Sequence, residues 1–192
     1  LPWGRGRSPL NWSIIEGRNR FVLHLFQILP GIDDGNIIDM YIYEINEYDN
    51  IRSLYYKTAM SQAIMIKRYL ENYETKKRVF YPQLGNKFYY PKRTPEDGKI
   101  DWNESIDKIC KLVRAVTWPY PGAYGFFKQE KIYILACQRF GNDLFCSDSK
   151  NGEIVFVSNN ERKEFVINVS DGQILVTEYT SPIKLIEGYV LQ

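Results

Sequence analysis

The segment from Leu29 to Ile38, LPGIDDGNII, most constrains how this chain can fold. It follows an apolar run from Arg20 to Gln27, whose aliphatic and aromatic side chains predict a buried strand. Proline and glycine residues then turn the backbone, and a second apolar run starts at Ile37. The pattern predicts two strands joined by a loop that carries two adjacent carboxylates, Asp33 and Asp34.

These paired carboxylates have two interpretations. A loop flanked by rigid elements is a suitable place for a general base or a charge-stabilising group, because both flanks fix its geometry. In the plainer alternative, Asp-Asp-Gly only makes the turn of a hairpin. Considered alone, the loop favours the plainer alternative.

The start of the chain, LPWGRGRSPLNWSIIEG, changes this balance. It resembles the LP-x-x-RG-x-x-P-x-x-W segment of the formyltransferases that use 10-formyltetrahydrofolate, and DDGNI resembles their D-x-G-x-I element. A third match, KRTPEDGKIDW followed by KLVRAVTWPYPGAY, resembles the segment that joins the catalytic domain of these enzymes to their C-terminal domain. The three motifs occur in the family's order, which makes the resemblance specific.

Within the family, RGRSPLNW and LVRAVTWPYPGAY look closest to enzymes that formylate a nucleotide-linked amino sugar, such as 4-amino-4-deoxyarabinose on UDP. Methionyl-tRNA formyltransferase is the first alternative, and a non-catalytic OB-like binding module is the second. The resemblance implies folate as a partner, with 10-formyltetrahydrofolate as the formyl donor. It implies no metal or redox cofactor, a cytoplasmic location and, among assemblies, a homodimer.

The resemblance also implies roles for individual residues. Asp33, two positions before Gly35, takes the place of the catalytic aspartate, and Asp34 takes the variable position. The residues implied to bind the acceptor substrate are Arg5, Gly6, Pro9, Asn11 and Trp12, with Arg5 expected to meet phosphates. Those implied to bind folate are Leu29, Pro30, Gly31, Ile32 and Gly35. The family's catalytic histidine and its asparagine stand before LP, so we expect a chain truncated at its N-terminus.

His24 is the only histidine of the chain. It lies within the apolar run that predicts the first strand, where a structural histidine is the common case, so we predict a structural role. The three cysteines, Cys110, Cys137 and Cys146, lack metal-ligand spacing, and we predict no metal site.

The resemblance implies an α/β protein: the C-terminal part of a Rossmann-like catalytic domain over residues 1–75, a connector with one helix over 76–118, and an OB-like β-barrel over 119–192. Three helices are predicted, at Pro9 to Glu16 with Ser8 as N-cap, at Asp49 to Tyr73, and at Asn103 to Val116. Five short strands with Asn-Gly and Asp-Gly turns follow Lys131 and underlie the barrel prediction.

Charge is unevenly distributed along the chain. Residues 55–100 contain 10 basic and 4 acidic residues, whereas residues 119–192 contain 7 and 9. Aromatic residues lie among the basic ones between Phe80 and Tyr90, a composition also typical of a single-stranded nucleic acid platform. We favour a connector pinned to the surface by its aromatics. No run of about 18 apolar residues occurs, so no membrane span is predicted.

Overall fold

The computed structural model describes residues 1–74, 79–141, 144, 149–159 and 163–192. They form two compact units, Leu1–Arg93 and Thr94–Gln192. The predicted connector, residues 76–118, spans the boundary between these units, and the three-part division remains a prediction. No helix in the described part of the chain combines the length and the apolar character needed to cross a membrane.

The first unit is built on an antiparallel hairpin. Its elements, in chain order, are β1 (Arg5–Gly6), α1 (Pro9–Ile15), β2 (Arg20–Phe26), β3 (Ile37–Glu44), α2 (Ile51–Glu74) and β4 (Tyr89–Tyr90). Strands β2 and β3 pair from Arg20 with Glu44 to Phe26 with Ile37, and the register shifts next to the loop, between Leu25 and Phe26. Strand β1 pairs in parallel with β4. The predicted pair of strands around LPGIDDGNII is therefore confirmed, but the predicted burial of the first strand is wrong, because every residue of β2 is exposed or half-buried.

Helix α2 packs against the hairpin. The hydroxyl groups of Tyr43 on β3 and Thr58 on α2 are 2.7 Å apart. The predicted helix is present. Its sequence pattern also predicts that Ile64, Ile66 and Leu70 belong to the packed apolar face, and this prediction is wrong, because all three are exposed. The packed face instead follows residues spaced three and four apart along the helix. Its buried members are Ile51, Leu54, Ser61 and Met65.

Helix α1 begins at Pro9, as predicted, but the predicted role of Ser8 as a side-chain cap is wrong. Ser8 has a left-handed backbone, with φ of 53°, and its side chain makes no capping hydrogen bond. A capping hydroxyl reaches the helix amides from an extended backbone, which Ser8 lacks. Pro9 is suited to the first helical position because its fixed φ matches the helix.

The second unit contains a short 3-10 helix (Pro95–Gly98), helix α3 (Ile106–Val116) and strands β5 (Ala123–Phe127), β6 (Glu130–Gly141), β7 (Ile154–Val157), β8 (Phe165–Val169) and β9 (Gly172–Thr180). The Ser105 hydroxyl accepts a hydrogen bond from the Lys108 amide at 3.3 Å and so begins α3. This helix packs on β6 with a face that includes Ile109 and Val113.

The strands of the second unit form one antiparallel sheet in the order β5-β6-β9-β8-β7. One of the five predicted strands, NDLFCSDSKNG, lies mostly outside the described residues. The sheet also contains β5, which was not predicted from the sequence. Strand β5 follows Pro119 and Pro121. These prolines predict the end of a helix, and the short run AYGFF directly after them was not predicted as a strand. Register shifts along β6 bend the sheet.

Candidate active site

A cavity of about 650 Å³ opens in the first unit between the start of the chain and β2. Most residues of β2 line it, including Val22, His24 and Phe26. Asp33, from the loop between β2 and β3, borders the same cavity. The structure therefore brings the RG-containing segment and the DDG loop, which are far apart in the sequence, to one concave surface.

The carboxylate of Asp33 is fixed by the backbone of β1. Its Oδ2 accepts a hydrogen bond from the Gly6 amide at 2.8 Å. Asp33 also has a left-handed backbone, with φ of 52°, which is uncommon outside glycine, although aspartate tolerates it better than most residues. Left-handed residues of this kind persist where surrounding contacts determine them. Both the backbone and the side chain of Asp33 are thus held.

Gly35 makes the loop compact. A Cβ atom at this position would lie 1.8 Å from the carbonyl oxygen of Gln27, the residue directly after β2. The Gln27 amide also donates to the carbonyl of Asn36 at 3.0 Å. The chain passes so close to itself here that only glycine fits, which explains the glycine of the DDG sequence.

Gln83 holds the loop from the other side. Its Nε2 donates to the carbonyl oxygens of Asp33, at 2.9 Å, and of Gly35, at 2.7 Å. Its Oε1 accepts from Arg5, from NH2 at 2.6 Å and from Nε at 3.1 Å. Gln83 was not predicted as a site residue, because it lies in a predicted connector without regular structure. The preceding antiparallel bridge between Tyr81 and Ile37 is what brings it there.

Of the five residues predicted to bind the acceptor, Gly6 and Pro9 line the cavity. Arg5 is only 1% exposed, and its guanidinium contacts Gln83 and the hydroxyl of Tyr89, the latter at 3.0 Å. Asn11 is buried within α1. Trp12 stacks on Tyr90, with ring centroids 5.5 Å apart. Three of the five predicted residues therefore pack inside the unit.

The residues predicted to bind folate form the tip of the loop. Leu29 and Ile32 are 48% and 65% exposed, and the two residues between them are also exposed. Gly35 is buried beneath them. This tip presents apolar side chains and free backbone to solvent, a surface on which a flat heterocycle could lie.

His24 lies on the cavity face of β2. Burial lowers its pKa from the ordinary 6.5 to about 4. The imidazole is therefore neutral at physiological pH. Its structural role remains a prediction. Among the described residues, no cluster of three His, Cys, Asp or Glu side chains could hold a metal ion.

Comparison with known proteins shows which family the chain resembles. Residues 92–186 match the formyl transferase C-terminal domain. Over 136 residues the chain is 37% identical to the bifunctional polymyxin resistance protein ArnA of Wigglesworthia glossinidia brevipalpis, an alignment that covers 70% of this chain. The chain belongs to the formyltransferase family. It spans 21% of the length of that ArnA protein.

Several solved structures share the fold of the chain. HypX from Aquifex aeolicus in complex with tetrahydrofolic acid has a TM-score of 0.75 at 20% identity, covering 94% of this chain and 31% of that one. An N-formyltransferase from Helicobacter canadensis, in complex with folinic acid and dTDP-3-aminofucose, has a TM-score of 0.66 at 20% identity and covers 94% and 63%. Methionyl-tRNA formyltransferase from Clostridium thermocellum has a TM-score of 0.59 at 20% identity and covers 98% and 66%.

Proposed function

We propose that the protein containing this chain transfers a formyl group from 10-formyltetrahydrofolate to the primary amine of a nucleotide-linked amino sugar. The observation that carries the proposal is the carboxylate of Asp33, which the Gly6 amide fixes at the border of the cavity. The family supports formyl transfer, and two of its members with this fold are described in complex with folates.

The chemistry needs a proton acceptor at this position. As the amine nitrogen attacks the formyl carbon, a new C–N bond forms and the amine loses a proton. Asp33 accepts that proton as general base. It then returns the proton to the folate nitrogen as the bond between that nitrogen and the formyl carbon breaks. The products are the formamide and tetrahydrofolate, so atoms and charge balance without any metal or redox group.

The exposed tip of the loop, with Leu29 and Ile32, suits the pterin of the folate, since apolar side chains and backbone amides recognise a flat heterocycle. The acceptor then reaches the cavity from the side of Gly6 and Pro9. The Arg5 donors face Gln83 and Tyr89 inside the unit, so the exposed Arg7, Arg18 and Arg20 are the cations proposed to meet the nucleotide phosphates. Of these, Arg18 forms a salt bridge with Glu16 at 2.6 Å, which the phosphates would have to share.

The acceptor class is supported by the likeness to an N-formyltransferase in complex with dTDP-3-aminofucose and by charge. The tRNA-specific alternative is supported by the likeness to the methionyl-tRNA enzyme and by the 10 basic against 4 acidic residues of the segment 55–100. A tRNA enzyme must neutralise several phosphates, however, and residues 119–192 have 7 basic and 9 acidic residues, a net formal charge of −2. A nucleotide sugar needs only one or two arginines.

The same proposal includes the finer expectations about architecture. The five-stranded sheet of the second unit would close into an OB-like barrel, the protein would act in the cytoplasm, and a homodimer is the proposed assembly. A non-catalytic OB-like module accounts for the second unit alone and gives no reason for the fixed carboxylate of the first.

The test uses the full-length protein with 10-formyltetrahydrofolate and three acceptors: a UDP-linked 4-amino sugar, a dTDP-linked amino sugar and methionyl-tRNA. We expect mass spectrometry to find the formylated sugar and no formylmethionyl-tRNA. Binding of each acceptor is then titrated between about 50 and 200 mM salt, where tRNA binding that depends on many phosphates falls steeply. Tight, specific binding of initiator tRNA would overturn the acceptor assignment, and no formyl transfer to any acceptor would overturn the activity.

A further inference from the structure

We infer that Gln83 is a positioning residue: its side-chain amide fixes the loop that presents the Asp33 carboxylate, and Arg5 fixes Gln83. The inference rests on the proposed function only in taking Asp33 as the proton acceptor. The hydrogen bonds that link Arg5 through Gln83 to the loop are observed in the structure and do not depend on the proposed function. The inference gives Arg5 a role in holding the loop, whereas the resemblance implies that Arg5 meets substrate phosphates.

The orientation of the Gln83 amide follows from its neighbours. Arginine can only donate hydrogen bonds, so the atom that faces Arg5 at 2.6 and 3.1 Å must be the oxygen. Backbone carbonyls can only accept, so the atom that faces Asp33 and Gly35 must be the nitrogen. Both N–H groups of the amide are used, one for each carbonyl. Gln83 therefore links Arg5 to the loop through both ends of one amide.

Strand β1 holds the loop at two points. The Gly6 amide binds the Asp33 carboxylate directly, and the neighbouring Arg5 binds the loop backbone through Gln83. The Arg5 backbone is itself anchored, because its amide donates to the carbonyl of Phe88 at 3.0 Å. One contact orients the side chain of Asp33 and the other fixes its backbone, so together they define where the carboxylate lies.

The burial of Arg5 supports this assignment. Removing a guanidinium from water costs free energy that its hydrogen bonds must offset. The partners of Arg5 here, Gln83 and the Tyr89 hydroxyl, are uncharged. A solvated arginine that waits for phosphate would keep donors directed at the cavity. At 1% exposure, Arg5 instead directs them at the residue that holds the loop.

The decisive variant is Gln83→Glu. It keeps the length of the side chain and the oxygen that accepts from Arg5, and the new charge pairs with the guanidinium, so the unit has reason to stay folded. It replaces the two N–H donors with an oxygen that faces two carbonyl oxygens. The matched control is Gln62→Glu, which makes the same chemical change on an exposed position of α2.

Two readouts are measured on the full-length protein. The first is hydrogen exchange of the Gly6 amide without substrate, which reports whether the Asp33 carboxylate still accepts its bond. We expect Gln83→Glu to speed this exchange about tenfold or more, the effect of losing one or two buried hydrogen bonds. The second is steady-state formyl transfer. There kcat should fall about tenfold or more, while KM for the folate stays within about threefold, because a misplaced base weakens the chemical step.

An unchanged Gly6 amide exchange or an unchanged kcat in Gln83→Glu would overturn the inference, as would equal effects in Gln62→Glu. If Gln83→Glu fails to fold, Gln83→Met, which removes the amide without adding charge, takes its place with the same expected changes. A wild-type protein that formylates no acceptor would refute the proposed function alone, since the exchange of the Gly6 amide would still decide whether Gln83 positions the loop.

Discussion

Replacing Asp33 with asparagine separates the chemistry proposed for this carboxylate from its place in the structure. Asparagine has nearly the same shape and keeps an oxygen that can accept the hydrogen bond from Gly6, now 2.8 Å from Asp33 Oδ2. The loop contacts from Gln83 reach the backbone carbonyl of residue 33 and do not depend on the side chain. The substitution therefore removes the proton-accepting group and little else.

The two effects of Asp33→Asn differ in size. A hydrogen bond to a charged acceptor becomes one to a neutral acceptor, a loss of about 1 kcal/mol of stability. Loss of a general base lowers turnover by at least about 100-fold, which is roughly 2.7 kcal/mol of activation free energy. Activity should therefore collapse in a protein that melts within a few degrees of wild type.

The assay compares Asp33→Asn with Asp34→Asn in the full-length protein, using kcat for formyl transfer and the thermal midpoint. Asp34 is the matched control because it is the same residue one position along, and its buried Oδ1 has no hydrogen-bond partner among the described residues. We expect Asp34→Asn to keep most of the activity. Equal losses in the two variants would refute the assignment of Asp33 as base.

Three further expectations concern stability of the first unit. Gly35→Ala should lower the melting temperature markedly, because its Cβ would lie 1.8 Å from the Gln27 carbonyl oxygen. Gly85→Ala should cost less, because its Cβ meets no atom within 4 Å and only the backbone strain of a φ of 109° opposes it. Tyr43→Phe should cost about 1 kcal/mol in urea unfolding through loss of the bond to Thr58, and Tyr41→Phe, which keeps the ring beneath Arg68, should be close to neutral. His24 should make the free energy of unfolding depend on pH. Its pKa is about 4 in the folded protein and the ordinary 6.5 in the unfolded chain, so the unfolded chain takes up the proton first as the pH falls. The contribution of His24 to stability is therefore fully present above pH 6.5 and is lost as the pH falls towards 4. His24→Gln should show a shallower decline over this window, and identical profiles would contradict the burial of a neutral imidazole.

The sequence predicted those parts of the fold that local pattern determines. The two strands around the DDG loop and the three helices have strong periodicity, and their positions agree with the structure to within a few residues. The ends of the helices depended on caps: α2 begins at Ile51 because Asn50 and Ser53 exchange hydrogen bonds, so the predicted start at Asp49 was too early. Strand β5 was missed because two prolines precede a short aromatic run.

Only the residues of the candidate site that lie in a recognisable sequence motif could be predicted. The D-x-G spacing singled out Asp33, and the glycine is explained by the close approach of Gln27. The burial of Arg5 and the role of Gln83 depend on contacts across 78 and 50 residues of chain, which no local pattern reveals. An arginine beside glycine in an exposed-looking segment suggests phosphate binding, and only the packed structure shows its partner.

The sequence separation of these contacts also sets the order in which the site can form. Gly6 and Asp33 are 27 residues apart, and Arg5 and Gln83 are 78 apart, so each bond closes a long loop and must offset its entropy. Such long-range contacts form after local ones in folding, and a local opening of the native state can break them without unfolding the whole unit. On heating, the carboxylate should lose its fixed position while the β2–β3 hairpin and α2 are still intact. Catalytic competence would then disappear several degrees before the fold does.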